Sequence, residues 1–302
     1  MSQSTTIDRT GGTSVGVGDT ATSALARISV GPPYFDLREM EEVGNGIVTA
    51  TIAPAPVPHP EIGAIAAAQV ARHLAILGSC AAALARDDDD RHHYLATKAH
   101  YTRLSNAPNS VNGPLRAEAI ASWSDRRSAR ALVKLSTFDG QGLNLLDVTY
   151  TVLTPKIFHR FNPPVDVVAV QTGEGLTFEE ERINGGVRVD CGPISAALCA
   201  GHFPDHPAAP VAIVMGQLCR AAGSAMRRHL DLVGGRFRIE EGHVVAAKLA
   251  TAGQRLVLEA RYLKPVRGGH QLHGVALADG ETVGELVVTL SAHGPEPVDS
   301  TC

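Results

Sequence analysis

Residues 201–223, Gly-His-Phe-Pro-Asp-His-Pro-Ala-Ala-Pro-Val-Ala-Ile-Val-Met-Gly-Gln-Leu-Cys-Arg-Ala-Ala-Gly, decide the fold of this chain. They begin as a proline-rich loop that carries three ionisable side chains, His202, Asp205 and His206. Pro210 predicts the first turn of a helix, where a missing N–H costs nothing because that position has no intrahelical acceptor. The residues that follow are nearly all apolar or small, which indicates a helix buried on most sides. The ionisable loop therefore precedes a helix N-terminus, whose N–H groups can polarise a carbonyl.

This stretch resembles the His-Phe-Pro-Gly-x-Pro-x-x-Pro-Gly signature of the hotdog-fold 3-hydroxyacyl-thioester dehydratases of fatty-acid synthesis. In that family the loop leads into a long central helix wrapped by a curved antiparallel sheet. The resemblance places His202 on the catalytic histidine and Val211 on the glycine whose N–H polarises the thioester carbonyl. The family's catalytic acid falls on Gly216, and the glutamine four residues later falls on Arg220. The loop of the signature is present, but the catalytic acid is missing.

The first half of the chain repeats the order of the second half. An alanine-rich helix is predicted over 61–86 and a buried helix over 211–230, each after a proline-rich turn and before about four strands. Gln69-Val-Ala-Arg72 matches Gln217-Leu-Cys-Arg220 at an offset of 217 − 69 = 148, which indicates a duplication. The same offset pairs Gly63 with Val211, Ala68 with Gly216, and Pro54 with His202.

Each half therefore reads as one strand, a loop, a helix and further strands. One such unit would leave a sheet edge exposed, whereas two units side by side can share a continuous sheet. We predict an α+β fold that resembles a double hotdog, two fused units each with a long central helix wrapped by a curved antiparallel sheet. A disordered tail, an N-terminal hotdog, a linker, a C-terminal hotdog and a second tail are predicted over residues 1–26, 27–153, 154–182, 183–295 and 296–302.

The composition limits the classes of function. The chain has 302 residues, 44% hydrophobic and 19% charged, which suits a globular core. Its net charge of −4, without a basic block, argues against nucleic acid or an anionic membrane as partner. The five cysteines are irregularly spaced, so we expect free buried thiols in a reducing compartment. No Cys/His spacing suits zinc, and we expect no metal site.

The apolar segments are interrupted by polar residues. Gln69, Arg72 and His73 lie in the first, and Gln217 and Arg220 in the second, which predicts buried helices rather than membrane spans. The N-terminus lacks a basic region followed by an apolar run, so we expect no signal peptide. We expect a cytoplasmic protein.

In the resembling dehydratases each active site lies between two units, with the histidine from one and the acid from the helix of the other. This resemblance implies that the site of His202 faces the first helix near Ala68, Gln69 and Arg72. It implies that the opposite site has Pro54 in place of a histidine. Only one of the two sites would keep its histidine.

The missing acid favours hydrolysis over dehydration. Dehydration needs two proton carriers, whereas hydrolysis needs a polarised carbonyl, a water molecule and one base. We predict a thioester hydrolase (an acyl-CoA thioesterase) acting on an acyl-CoA or acyl-carrier-protein thioester, with coenzyme A or phosphopantetheine as part of the substrate and no separate cofactor. The predicted catalytic residues are His202, Asp205, Gln69 and Gln217, and the predicted substrate-binding residues are Val211, Gly63, Ala68, Gly216, Arg72 and Arg220.

Structural roles compete with these assignments. His202 and Asp205 could cap the helix or fix the turn. Gln69 and Gln217 could face each other across the seam between the halves, and the two arginines could form local ion pairs. Glu61 is most simply a partner of the helix dipole, or else a displaced acid.

Two other functions stay open at this point. One is a dehydratase or enoyl hydratase with a relocated acid, and the other is a non-catalytic acyl-thioester binding protein. The alanine- and glycine-rich composition is typical of an actinobacterium, and in outline the chain is similar to the double-hotdog thioesterases of natural-product pathways such as platensimycin biosynthesis. Either a monomer of fused halves or a homodimer is compatible with the duplication.

Overall fold

The structure is a computed structural model that describes residues 17–44, 46–163 and 176–295. Its helices are α1 (Val17–Arg27), α2 (Ala67–Leu84), α3 (Pro155–Phe161) and α4 (Val211–His229). Its strands are β1 (Arg38–Glu42), β2 (Ile47–Ile52), β3 (His93–Arg103), β4 (Leu115–Asp125), β5 (Ser128–Thr137), β6 (Gly142–Leu153), β7 (Glu179–Ile183), β8 (Gly186–Pro193), β9 (Ala208–Ala209), β10 (Arg236–Ala246), β11 (Ala250–Thr251), β12 (Arg255–Val266), β13 (Gly269–Ala278) and β14 (Glu281–His293).

Twelve of these strands form one antiparallel sheet. The strand order is β1-β2-β4-β5-β6-β3-β10-β14-β13-β12-β8-β7. From the edge to the centre, the first half contributes β1, β2, β4, β5, β6 and β3, and the second half contributes β7, β8, β12, β13, β14 and β10. The two halves therefore have the same connectivity. They are joined where β3 pairs with β10.

The repeat extends to the detail of single bulges. Strands β3 and β10 span 93–103 and 236–246, so their first and last residues are related by one offset, 236 − 93 = 246 − 103 = 143. Pairing with the neighbouring strand shifts between Ala96 and Lys98 in β3, and between Ile239 and Glu241 in β10. The two bulges are related by that same strand offset, 239 − 96 = 143. A bulge at the same place in both halves supports the predicted duplication.

Each long helix covers the inner face of its own half of the sheet. In α2 the fully buried Val70, Leu74 and Leu77 follow one face of the helix and pack towards β4 and β5. In α4 Leu218 is equally buried and packs towards β12 and β13. Burying one such leucine stabilises the fold by roughly 1.5–3 kcal/mol. The helices are held in place mainly by these apolar contacts.

One of the described helices, α2, is long and apolar enough to cross a membrane, and 67% of that stretch is buried inside the protein. A core helix has the same composition as a membrane span, since both are apolar around most of their circumference. The burial agrees with the prediction of a core helix.

Several predicted boundaries need correction. The predicted tail over 1–26 overlaps helix α1 from residue 17 on, while residues 1–16 lie outside the described residues. The predicted linker over 154–182 contains α3 and the beginning of β7. α3 and β7 are short and carry charged or aromatic residues without a clear hydrophobic period, so the sequence pattern did not predict them. The predicted second tail, 296–302, lies outside the described residues.

The predicted offset of 217 − 69 = 148 is also wrong, by about one helical turn. Ala66 and Pro210 precede α2 and α4 with the same dihedral angles, φ −59° and ψ 133°, and the offset between them is 210 − 66 = 144. Positions four residues apart share a helix face, so a slip of one turn preserves the polar pattern that suggested the larger offset. The corrected offset pairs Pro58 with His202, Ala67 with Val211, and Glu61 with Asp205.

Candidate active site

A cavity of about 790 Å³ lies beside the N-terminus of α4. Ala71, Ala75 and Ser79 line it from α2, and their spacing of four residues places them on one helix face. Val211 and Met215 line it from α4. The small α2 side chains leave the space that a larger residue would fill. The described residues that line the cavity include no aspartate or glutamate.

His202 lies in the wall of this cavity. Its Nδ1 is 2.9 Å from the carbonyl oxygen of Ala208. Because a carbonyl oxygen only accepts, Nδ1 donates its proton and Nε2 keeps a lone pair. Burial lowers the pKa of His202 to about 4, so the ring is neutral at pH 7. A neutral imidazole with an unprotonated Nε2 can accept a proton from water.

The loop of His202 is held by the segment before Tyr34. The N–H of Phe203 donates to the Ser29 carbonyl at 3.2 Å, and the N–H of Gly31 donates to the Gly201 carbonyl at 2.8 Å. Gly201 has φ +77°, and a Cβ there would lie 2.3 Å from the Gly31 oxygen, so this close approach requires glycine. The tyrosine ring stands edge-on to the imidazole at 5.2 Å.

The two long helices differ at their N-termini. The Glu61 carboxylate accepts a hydrogen bond from the N–H of Ala67, at 2.8 Å, and so closes the end of α2. Burial raises the pKa of Glu61 to about 7. No described side chain caps α4. The first N–H groups of α4, on Val211 and Ala212, have no intrahelical acceptor and belong to residues that line the cavity.

The equivalent position in the other half is nearly filled. Only about 20 Å³ is left there, lined in part by Glu61, Tyr101 and Arg103. By the offset between β3 and β10, Tyr101 and Arg103 correspond to Val244 and Ala246, which line the large cavity. The larger pair of side chains therefore occupies the volume that the smaller pair leaves open.

Phe237, which precedes two residues that line this small space, packs against α4. A Cβ on Gly223 would lie 2.2 Å from this ring, so the helix approaches the strand closely only because it carries glycine there. The loop before α2 packs on the same strand, since the N–H of Ile62 donates to the Phe237 carbonyl at 2.8 Å. The loop before α4 bonds to Ser29 instead, which leaves its own side of the sheet open.

The structure brings His202 and Val211 together at the cavity, as the resemblance implies. It does not bring the other predicted catalytic residues there. Asp205 is exposed and does not line the cavity. Gln69 does not line it either, and Gln217 accepts a hydrogen bond from Arg220 at 2.9 Å. These three assignments therefore lose the geometric support that a base or water-binding group would need.

The predicted substrate-binding residues also lie mostly outside the cavity. Ala68 and Gly216 contact each other where the helices cross, since a Cβ on Gly216 would lie 2.5 Å from the Ala68 Cβ. Gly63 precedes α2 and lines the nearly filled space. The guanidinium of Arg72 lies 5.7 Å from the Tyr34 ring, and that of Arg220 lies 4.6 Å from the Phe178 ring. Each arginine therefore contacts an aromatic ring of the protein itself.

Several lining residues were not found from the sequence. His206, one of the ionisable residues of the loop but not among the predicted site residues, is buried and lines the cavity. Its Nδ1 is 2.9 Å from the Pro163 carbonyl oxygen, and its Nε2 is buried with no hydrogen-bond partner among the described residues. Tyr34, Tyr150 and Gln254 line the cavity as well. The four-residue spacing of small residues along α2 was the available signal for this wall.

No protein-family model and no curated protein sequence matches the chain. Solved structures do match. A tesB protein from Mycobacterium avium subs paratuberculosis is 15% identical with a TM-score of 0.57, over 92% of this chain and 99% of that one. A 12:0-ACP thioesterase from Umbellularia californica is 10% identical with a TM-score of 0.56, over 83% and 95%. A hotdog-fold protein from Alicyclobacillus acidocaldarius is 10% identical with a TM-score of 0.51, over 86% and 97%. The chain therefore has a hotdog-type α+β fold.

Proposed function

We propose that this protein is a thioesterase that hydrolyses an acyl-CoA or acyl-carrier-protein thioester at a single site. One observation carries the proposal: the uncapped N-terminus of α4 and a neutral histidine, His202, lie at the same largely apolar cavity. A helix N-terminus polarises a carbonyl, a neutral imidazole takes a proton, and an apolar cavity accepts an acyl chain.

The solved structures add support at the level of the fold. One of them is a thioesterase of an acyl carrier protein, and the match extends over most of both chains. We infer that the two halves are two fused hotdog units, because connectivity and bulges repeat between them. Fold alone does not decide the reaction, so the proposal depends on the site.

In the proposed reaction the thioester carbonyl oxygen accepts hydrogen bonds from the N–H groups of Val211 and Ala212. A water molecule attacks the carbonyl carbon while His202 Nε2 takes one of its protons. Negative charge on the carbonyl oxygen is stabilised by the two N–H groups and the helix dipole. The carbon–sulfur bond then breaks, the imidazole returns its proton to the sulfur, and a free thiol and a carboxylic acid leave.

Hydrolysis suits this site better than dehydration or hydration of the acyl chain. The latter reactions need a second proton carrier, and no carboxylate lines the cavity among the described residues. Glu61 already caps α2, and Asp205 is exposed. A non-catalytic binding protein would share the cavity, and the absence of turnover would distinguish it.

The cavity volume supports an acyl group larger than acetyl. About 790 Å³ is within the range of roughly 300–1,000 Å³ that is usual for small-molecule sites. We propose a long or bulky acyl chain that lies along the small residues of α2. A role in the secondary metabolism of a cytoplasmic actinobacterial enzyme, with no cofactor beyond the thiol of the substrate, is part of the same proposal.

The test is thiol release from short, long, aromatic and polycyclic acyl-CoA thioesters. Wild type is compared with His202→Ala, and reactions without substrate correct for the cysteines of the protein. We expect release by wild type and a loss of at least about a hundredfold in the variant. Unchanged release in the variant would remove His202 from the reaction. Binding of acyl-CoA without release of thiol would replace the enzyme with a binding protein.

A further inference from the structure

The seam between the halves brings two histidines face to face. His100 in β3 and His243 in β10 are direct partners in the ladder that joins the halves. They are also related by the offset between these two strands, so they lie at the centre of the internal repeat. Their rings are stacked with centroids 4.0 Å apart and planes 14° apart. Their side chains are 40% and 56% exposed, so solvent reaches both.

A carboxylate completes this cluster. One oxygen of Glu241, Oε1, is 2.7 Å from His100 Nε2 and 3.4 Å from His243 Nε2. Both imidazoles therefore place Nε2 close to the same carboxylate oxygen. The three donor atoms all lie within 4.8 Å of one another, and Thr102 Oγ1 is 3.3 Å from His100 Nε2.

We infer that His100, Glu241 and His243 form a binding site for a divalent transition-metal ion of the zinc class. Zinc binds imidazole nitrogen at about 2.0–2.1 Å and carboxylate oxygen at about 2.0–2.2 Å. Ligands at these lengths around a tetrahedral ion are separated by about 3.3 Å. The present separations of 2.7 and 3.4 Å lie on either side of that value, and the two stacked rings would turn so that both Nε2 lone pairs face one ion.

The donor set also selects the ion. Magnesium and calcium prefer oxygen ligands, whereas two imidazoles and a carboxylate suit zinc, cobalt, nickel or copper. Water would fill the remaining position, since all three side chains are partly exposed. Asp147, the ladder partner of His100 on the other side, is held by Arg130 at 2.7 Å and is not free to compete. Because the ligands come from both halves, the ion would cross-link the halves of the sheet.

Sequence spacing could not reveal this site. Zinc motifs are recognised by ligands a few residues apart, and here the two histidines are joined only by strand pairing. The inference is independent of the proposed thioesterase reaction, since none of the three residues lines the large cavity.

The test is equilibrium dialysis of the full chain, free of any affinity tag and stripped of metal, against Zn²⁺. We expect one ion per chain and an apparent Kd at least tenfold higher in His100→Ala and in His243→Ala. Zn²⁺ should raise the Tm of wild type but not of either variant. Co²⁺ should give the visible absorption of a tetrahedral site in wild type but in neither of these two variants.

His273→Ala is the matched control, because His273 pairs with Glu285 at 3.6 Å and belongs to no such three-residue cluster in the described chain. It should bind Zn²⁺ as wild type does. The Tm of each variant without metal shows whether its fold is intact. Absence of stoichiometric binding, or equal binding after both His100 and His243 are replaced, would overturn the inference and leave a histidine–glutamate ion pair.

Discussion

Glu61 and Asp205 occupy equivalent positions before α2 and α4, yet only Glu61 hydrogen-bonds to its helix. Each acid precedes the first helical residue by six positions, since α2 begins at Ala67 and α4 at Val211. The Glu61 carboxylate accepts from the N–H of Ala67, whereas the side chain of Asp205 is exposed and no side chain in the described part of the chain caps α4. A duplicated loop therefore closes one helix end and leaves the other available to a substrate carbonyl.

The role of the open helix end can be tested by removing one N–H group. Val211→Pro deletes the N–H proposed to polarise the carbonyl, and proline is tolerated at the first helical position. Pro210, with ψ 133°, already has the extended conformation that a following proline requires. We expect the Tm to stay within a few degrees and kcat to fall by about 10²–10³, measured by thiol release.

Ala67→Pro is the matched control for this variant, because Ala66 has the same dihedral angles as Pro210. It deletes the N–H that donates a hydrogen bond to the Glu61 carboxylate, so we expect some loss of stability. The kcat should stay near that of wild type. Equal loss of kcat in both variants would contradict a specific role for the end of α4.

The desolvation of the half-buried His202 predicts an unusual pH profile. Its pKa of about 4 means that the ring stays neutral well below pH 6.5. At pH 5.5 a solvent-exposed histidine would be only about one-tenth neutral, whereas His202 would be almost fully neutral. We therefore expect kcat/KM at pH 5.5 to remain within about twofold of its value at pH 7.5, provided that circular dichroism shows a folded protein.

A tenfold loss of kcat/KM between those two pH values, with the fold intact, would contradict this prediction. It would mean that the base titrates near the ordinary histidine pKa. Circular dichroism matters here because His73 and His93 are also buried with pKa values of about 4. The unfolded state then binds more protons than the native state below pH 6.5, so stability falls as the pH is lowered towards 4.

Glu61 predicts a pH effect of the opposite sign. Its pKa of about 7 lies above the ordinary value of 4.5, so between these values the native state binds more protons than the unfolded state. The stability that this proton uptake adds to the folded state is fully present below pH 4.5 and is lost as the pH rises through 7. Glu61→Gln keeps an oxygen that accepts from Ala67 and removes the titration. In urea unfolding we expect the variant to gain stability relative to wild type between pH 5 and pH 8, by up to about 3 kcal/mol.

Asp205→Asn gives the comparison, because Asp205 has the equivalent position but is exposed. It removes a carboxyl from the same place in the other loop without touching the hydrogen bond that closes α2, so it shows what the loss of a loop carboxyl alone does to the stability. A difference for Glu61→Gln that stays constant with pH would show that this carboxyl is not buried as described.

The sequence was most informative where local chemistry and fold agree. Pro210 predicted the start of α4, and the structure begins that helix at Val211. The alternating strands of both halves were also predicted, because one face of each is buried. Strand β1, Arg-Glu-Met-Glu-Glu, was missed because it is an edge strand with one buried residue, and charge is what protects such an edge from pairing.

The site was less predictable because tertiary contacts define it. The motif identified His202 and Val211. Why one half has an open cavity and the other a nearly filled space depends on large side chains in one half at the positions where the other half has small ones. Tyr101 in β3 corresponds to Val244 in β10, and that register is visible only once the two strands are paired. The predicted offset of 148 residues was one helical turn too long, and it therefore hid the correspondence between Tyr101 and Val244. Such an error is easily made because positions one turn apart share a helix face.

The wall formed by α2 predicts the last effect, on acyl-chain length. Ala71 lines the cavity next to the N-terminal half of α4, and Ala71→Leu would fill space that a long acyl chain needs. We expect kcat/KM for the longest accepted acyl-CoA to fall at least tenfold, while that for acetyl-CoA changes less than about twofold. The short substrate serves as the internal control, since it shares the carbonyl site but does not reach this wall. Equal losses for both substrates would point to a disturbed fold, which the Tm would report. No loss for either would show that the acyl chain does not bind along α2.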